Sequence, residues 1–147
     1  MKSGLKISLK ANEKIYINGA VVKVDRKVSL ELLNETQFLL ESHVLQPENA
    51  TTPLRQLYFV VQIMLVNPAS AGTALSMFRT TLPLLLETFR DKHILSSLKH
   101  IDRLVAEGRV YEALKAIRDL YAAENEILNP KPVPVPAVFA MEMRESA

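Results

Sequence analysis

The sequence predicts an α+β fold: a small, hairpin-rich antiparallel β-sheet at the N-terminus, then a bundle of about four α-helices, then an extended proline-rich tail. Three observations carry this reading. Apolar residues alternate with polar ones from residue 5 to about 46, they recur at helical spacing from residue 54 to about 121, and Thr51-Thr52-Pro53 stands where the period changes. The predicted division is a β module over residues 1–48, a helical bundle packed on it over 49–125, and the tail over 126–147. With 147 residues, 48% of them hydrophobic, the chain can bury a core of its own.

The strands come first. Leu5, Ile7 and Leu9 alternate with Lys6 and Ser8, and Val28, Leu30 and Leu32 alternate with Ser29 and Glu31. Ile15 and Ile17 bracket Tyr16, while Val22 and Val24 bracket Lys23. Between these last two runs, Asn18-Gly19 predicts a two-residue type I′ hairpin, because that turn needs positive φ at both central residues. The turn sets a register: Ile17 opposite Ala20, Tyr16 opposite Val21, Ile15 opposite Val22 and Lys14 opposite Lys23. Ile15, Ile17, Ala20, Val22 and Val24 are then expected on the core face, with Lys14, Tyr16 and Lys23 on the other. A further short strand is expected around Gln37–Glu41.

Thr52 supplies an N-cap with proline at the first helical position, and Leu54, Leu57, Tyr58, Val61, Met64 and Leu65 follow at helical spacing until Asn67-Pro68. Val60 and Ile63 widen the stripe, so this helix is expected to be buried on most sides. Leu75, Phe78, Leu82, Leu85, Leu86 and Phe89 mark a second helix, in which Pro83 predicts a kink or a restart. A third carries Ile94, Leu98, Ile101 and Val105 and ends at Gly108 as a C-cap. Val110, Leu114, Ile117 and Tyr121 mark a fourth. Beyond Asn125, prolines 130, 132, 134 and 136 alternate with Lys and Val, the composition of a tether.

The chemistry on offer is limited. With no cysteine there is neither disulfide nor thiolate site, and the four glycines are isolated, so no phosphate-cradling loop exists. His93 and His100 are two helical turns apart, too far to share a metal unaided, and both they and His43 read as ordinary polar positions. These absences point away from an enzyme, and neither cofactor nor metal is expected. The basic N-terminus lacks a continuous apolar segment, and the longest apolar run, Leu57 to Val66, falls far short of a bilayer span. The expectation is a cytoplasmic protein with no membrane partner.

Charge is distributed unevenly. Residues 1–30 hold seven Lys/Arg against Glu13 and Asp25, and residues 31–60 hold Arg55 against four glutamates. On the hairpin, Lys14 and Lys23 stand directly opposite each other, an arrangement that costs up to about 1 kcal/mol. An anion between them would offset that cost. Lys6 and Lys10 share the outward parity, and Arg26 and Lys27 follow Lys23, so Lys6, Lys10, Lys14, Tyr16, Lys23, Arg26 and Lys27 form a candidate RNA-binding surface of phosphate contacts and one stacking ring. Lysines on exposed strands also guard sheet edges, which is the competing explanation. A second basic stripe, Lys92, Lys99 and Arg103, falls within about 40° on the third helix and equally suits a plain solvated face. Arg55 opposes the dipole of the first helix, and Glu48 or a strand glutamate is the expected counter-charge.

Three segments carry a resemblance: Ile17-Asn18-Gly19-Ala20-Val21-Val22-Lys23-Val24-Asp25-Arg26-Lys27, Thr51-Thr52-Pro53-Leu54-Arg55-Gln56-Leu57-Tyr58-Phe59, and Gly108-Arg109-Val110-Tyr111-Glu112-Ala113-Leu114-Lys115. Over about residues 3–125 the chain resembles the FlbT family of flagellar regulators. That resemblance implies a non-enzymatic, post-transcriptional role in bacterial flagellum biogenesis. The partner it implies is the 5′ untranslated region of flagellin mRNA, whose translation and decay such a protein controls, as a repressor more than as an activator. It also implies work beside a second small flagellar protein, FlaF. It supplies no site residues. A protein-interaction adaptor or chaperone-like module that binds flagellin or a flagellar partner is the alternative, favoured by the apolar surplus of the first two helices. A homo-oligomer, supported by the apolar stripes of the last two helices, would duplicate the basic surface.

Overall fold

The computed structural model describes residues 5–34 and 36–128, so the proline-rich segment expected as a tail lies, from residue 129 onward, outside the described residues. Five strands precede five α-helices: β1 (Leu5–Leu9), β2 (Lys14–Ile17), β3 (Ala20–Lys23), β4 (Val28–Leu32) and β5 (Phe38–Leu40), then α1 (Pro53–Val66), α2 (Ala71–Thr88), α3 (Lys92–Ala106), α4 (Val110–Arg118) and α5 (Tyr121–Leu128). The class is α+β, as the two periods predict.

The strands form two sheets. β1 and β4 make an antiparallel ribbon, and β3, β2 and β5 make a three-stranded antiparallel sheet in that order. The β2–β3 hairpin has the predicted register, Lys14 opposite Lys23 through Ile17 opposite Ala20, with φ of 47° at Asn18 and 88° at Gly19. Its tip is seated on the helices. A Cβ added at Gly19 would lie 2.9 Å from Cδ of Pro68, so this position needs glycine both for its φ and for its contact.

The three-stranded sheet is covered on both faces. Ile15 and Phe38 face the ribbon, forming a small core with Ile7 and Leu9, while Tyr16 and Leu39 face the helical core. This corrects the expected single core face: Tyr16 is half-buried rather than standing free beside the lysines. Ala20 and Val22 are corrected in the opposite direction. All of β3 is exposed, because neither layer reaches the outermost strand.

α1 lies at the centre, touching α2, α4, α5, β2 and β5, which is why its apolar residues occupy more than one face. Leu54, Leu57, Tyr58, Val61 and Leu65 are buried there, each apolar side chain so removed from water being worth about 1.5–3 kcal/mol. Gln62 is buried among them and acts as a strand partner: its carbonyl accepts from the Leu45 N–H at 2.7 Å and its amide donates to the Leu45 carbonyl at 2.9 Å.

A turn at Asn67–Ser70 bends the chain by 117° between α1 and α2. α2 then runs unbroken through Pro83, so the predicted restart does not occur. Pro83 is exposed, and the Arg79 carbonyl it leaves without a helical donor sits on the solvent side, where water can satisfy it. Asp91 caps α3 by accepting from the Ile94 N–H at 3.0 Å. Gly108, at φ 75°, closes that helix as predicted: its N–H reaches the Val105 carbonyl at 3.0 Å and the Arg109 N–H the Leu104 carbonyl at 2.8 Å. The predicted fourth helix is divided at Asp119–Leu120 into α4 and α5, with Leu120 buried at the joint. The apolar stripes of α3 and α4, expected to support an oligomer, are spent inside this core: Ile94, Leu98, Ile101, Leu114 and Ile117 are all fully covered.

Candidate nucleic-acid interface

The hairpin brings Lys14 and Lys23 opposite each other with both side chains exposed, as the register requires. The surroundings are less positive than the sequence implies. The Lys14 N–H donates to a carboxylate oxygen of Glu41 at 2.7 Å, so one anion is already built in beside the pair. Lys6 belongs to the other sheet, directly opposite Glu31. The Lys10 N–H is held by the Glu13 carboxylate at 3.0 Å. Arg26 pairs with Asp25 at 3.1 Å, and its guanidinium holds the Asp25 carboxyl below the ordinary carboxylate range. Lys27 is exposed in the same loop. Tyr16, packed against the helical core, offers no free ring to a base of the kind the stacking role demands.

The second surface is cleaner. Lys92, Lys99 and Arg103 are all exposed along α3, opposite the buried Ile94, Leu98 and Ile101, and none has an ion-pair partner among the described residues. Ser96 lies on the same stripe, and His93 and His100 flank it. The eleven steps along the helix from Lys92 to Arg103 span about 16 Å, a straight row of cations on a rigid element.

The most elaborate polar cluster is one that the sequence motif conceals. Glu124, on α5, is wholly buried and reaches the start of α1, where it accepts from the Thr52 hydroxyl at 2.5 Å and the Leu54 N–H at 2.7 Å. Thr52 in turn accepts from the Arg55 N–H at 3.2 Å. Arg55 lies 3.7 Å from Glu124 and its guanidinium sits 4.3 Å from the ring centre of Tyr121. The counter-charge of Arg55 is therefore Glu124, not Glu48 or a strand glutamate. The carboxylate offsets the opposing dipole because it occupies the positive end of the same helix. Beside it, Arg118 donates to the Tyr58 hydroxyl at 3.1 Å, which donates to the His43 carbonyl at 2.6 Å. Burial pushes the phenols of both Tyr121 and Tyr58 above the ordinary tyrosine value, while it pushes His43 down, the Arg118 charge adding to that effect.

A lone cation at the head of a buried helix was the only sign of this cluster in the sequence, and its partner is 69 residues away along the chain. Among the described residues no group of His, Asp and Glu is placed to hold a metal ion, and no single helix is long and apolar enough to cross a membrane.

Fold and surface together define a small α+β protein with a polar cluster buried at the head of α1 and exposed cations on a hairpin and a helix. The chain belongs to the FlbT family: the match to the family described as "Flagellar protein FlbT" covers residues 5–128. It is similar to proteins named "Probable flagellum biosynthesis repressor protein FlbT" in several bacteria. The Mesorhizobium japonicum protein is 64% identical over 87% of each chain. That of Chelativorans sp. is 59% identical over 99% of this chain and 100% of its own. That of Agrobacterium fabrum is 59% identical over 88% and 87%. No solved structure matches the chain.

Proposed function

We propose that the protein is a cytoplasmic, non-enzymatic repressor of flagellum biogenesis that associates with the 5′ leader of flagellin mRNA and lowers its translation or stability. The family membership and the relatives' names support the repressor role. The observation that carries the RNA reading is the row of unpaired cations Lys92, Lys99 and Arg103 on one face of α3, joined by the exposed Lys14 and Lys23 of the hairpin. Of the two surfaces, the helical row makes the larger contribution, because Glu41, Glu31, Glu13 and Asp25 blunt the one on the sheets. Contacts of this kind grip phosphates and carry little sequence information, so affinity falls steeply with salt, by about 0.7 in log–log slope for each phosphate held on a single strand.

Binding of the purified protein to a flagellin leader and to a scrambled RNA of equal length, across salt, tests the proposal. Lys92→Ala/Lys99→Ala/Arg103→Ala is expected to lower the slope by about two to three phosphates, and Lys14→Ala/Lys23→Ala by one to two. Absence of any shift with folded wild-type protein overturns direct binding.

A second reading rests on α2. Its outer face carries Met77 and Leu84, 48% and 59% exposed, and few charges. The hydroxyls of Ser76, Thr80 and Thr88 already donate to carbonyls of their own helix, so covering this face costs them little. An adaptor that holds flagellin or FlaF through α2 would show RNA association only when that partner is present.

A further inference from the structure

β3 stands at one end of its sheet, and all four of its residues are exposed, with Val21 at 59% and Val22 at 38%. The two valines point to opposite faces, so the strand is bare above and below as well as along its edge. The hairpin fixes which main-chain groups that edge presents. At its open end the Val24 N–H donates to the Glu13 carbonyl at 3.2 Å and the Val24 carbonyl accepts from the Asn12 N–H at 2.7 Å, so residue 24 turns its polar groups towards the β2 side. Ala20 and Val22 share that parity, and the N–H and C=O groups of Val21 and Lys23 therefore point outward, with no partner among the described residues. The strand is also held in position, because the Gly19 tip abuts Pro68 and the far end is tied through Val24. An edge so fixed is a template for another strand.

We propose that β3 is a self-association edge, occupied by β3 of a second copy of this chain running antiparallel about a two-fold axis at Val22. Val22 then meets the partner's Val22, and Val21 exchanges both main-chain bonds with the partner's Lys23. Lys23 does the same with the partner's Val21, so every outward group is satisfied. A second copy fits better than a lone peptide strand, which would itself lie bare on both faces here. The copy brings its own β2 and β5, merging two three-stranded sheets into one with β3 inside it. The strand is four residues long and ends in Lys23, features that suppress indiscriminate edge pairing and keep this contact small. The axis is perpendicular to the sheet, so Lys14 and Lys23 of both copies share a face. Their mutual repulsion makes the pairing weak in the free protein and stronger where the charges are screened.

The test is sedimentation equilibrium of the full chain over a wide concentration range, at about 0.02 M and about 0.5 M salt. The expected result is a reversible monomer–dimer equilibrium that tightens with salt. Val22→Lys, which sets two further ammonium groups opposite each other, is expected to weaken it roughly fivefold or more. Val21→Pro, which removes an outward N–H and no hairpin bond, is expected to abolish it, with unchanged circular dichroism showing that the monomer still folds. A wild type that stays monomeric at both salts overturns the proposal, as does a dimer that loosens with salt or that neither variant weakens. The inference stands apart from RNA binding: a chain that pairs through β3 yet binds no leader defeats only the functional proposal.

Discussion

Glu124→Ala removes the carboxylate on which the start of α1 depends, and its cost can be worked from the contacts. The Leu54 N–H, bonded at 2.7 Å in a site closed to water, loses its acceptor, a penalty of about 1–3 kcal/mol. Arg55 is left at the positive end of its helix without a counter-charge, about 0.3–1 kcal/mol more. The void left by the side chain adds about 1 kcal/mol for each methylene that the site cannot close around. The sum, about 2–5 kcal/mol, overlaps the usual cost of removing one partner from a buried ion pair. Glu124→Gln keeps the shape and one carbonyl for Leu54, so its expected cost is smaller, about 1–2 kcal/mol. Urea unfolding followed by circular dichroism measures both. A cycle with Thr52→Ala, whose hydroxyl donates to Glu124 at 2.5 Å, should return a coupling of about 1 kcal/mol or more. If Glu124→Ala unfolds within about 1 kcal/mol of wild type, or if the two changes simply add, the carboxylate is not what holds α1 to α5.

Two further outcomes follow from neighbouring contacts. Gly19→Ala places a Cβ 2.9 Å from the rigid ring of Pro68 at a φ of 88°, and unfolding should show a loss of about 2–3 kcal/mol, whereas Gly108→Ala, with open space around it, should lose only the backbone part, about 1 kcal/mol. His43 is held below its ordinary value of 6.5 by burial and by Arg118, so the unfolded chain takes up the proton first as pH falls. Its contribution is complete above pH 6.5 and declines below it, so the urea midpoint should fall between pH 7.5 and 5.5 by more in the wild type than in His43→Gln. An equal fall in the two removes His43 from the account.

What the sequence made legible was local. Asn18-Gly19 allowed the hairpin register to be read residue by residue, because a two-residue turn admits one pairing. Gly108 and Thr52 marked helix ends for the same reason: caps act over three or four residues. What failed was the number of layers. Alternation says which residues share a face but not what covers it, so Tyr16 was set outside when the helices cover it, and Val22 inside when nothing does. The candidate surface suffered likewise. Lys6 and Lys14 share a parity along the chain, yet they sit in different sheets, and the carboxylates beside them, Glu31 and Glu41, come from distant strands and turns. The exposed row on α3 was readable because all its members belong to one helix.

The hold of Glu124 on Thr52 has a consequence for synthesis. The two residues are 72 positions apart, and at about 5–20 residues per second the ribosome makes the threonine about 4–14 s before the glutamate. Throughout that interval the Leu54 N–H has no carboxylate to meet and Arg55 no counter-charge. The nascent bundle is thus completed from the α5 side, and a chain halted before residue 124 is left with α1 capped by Thr52 alone.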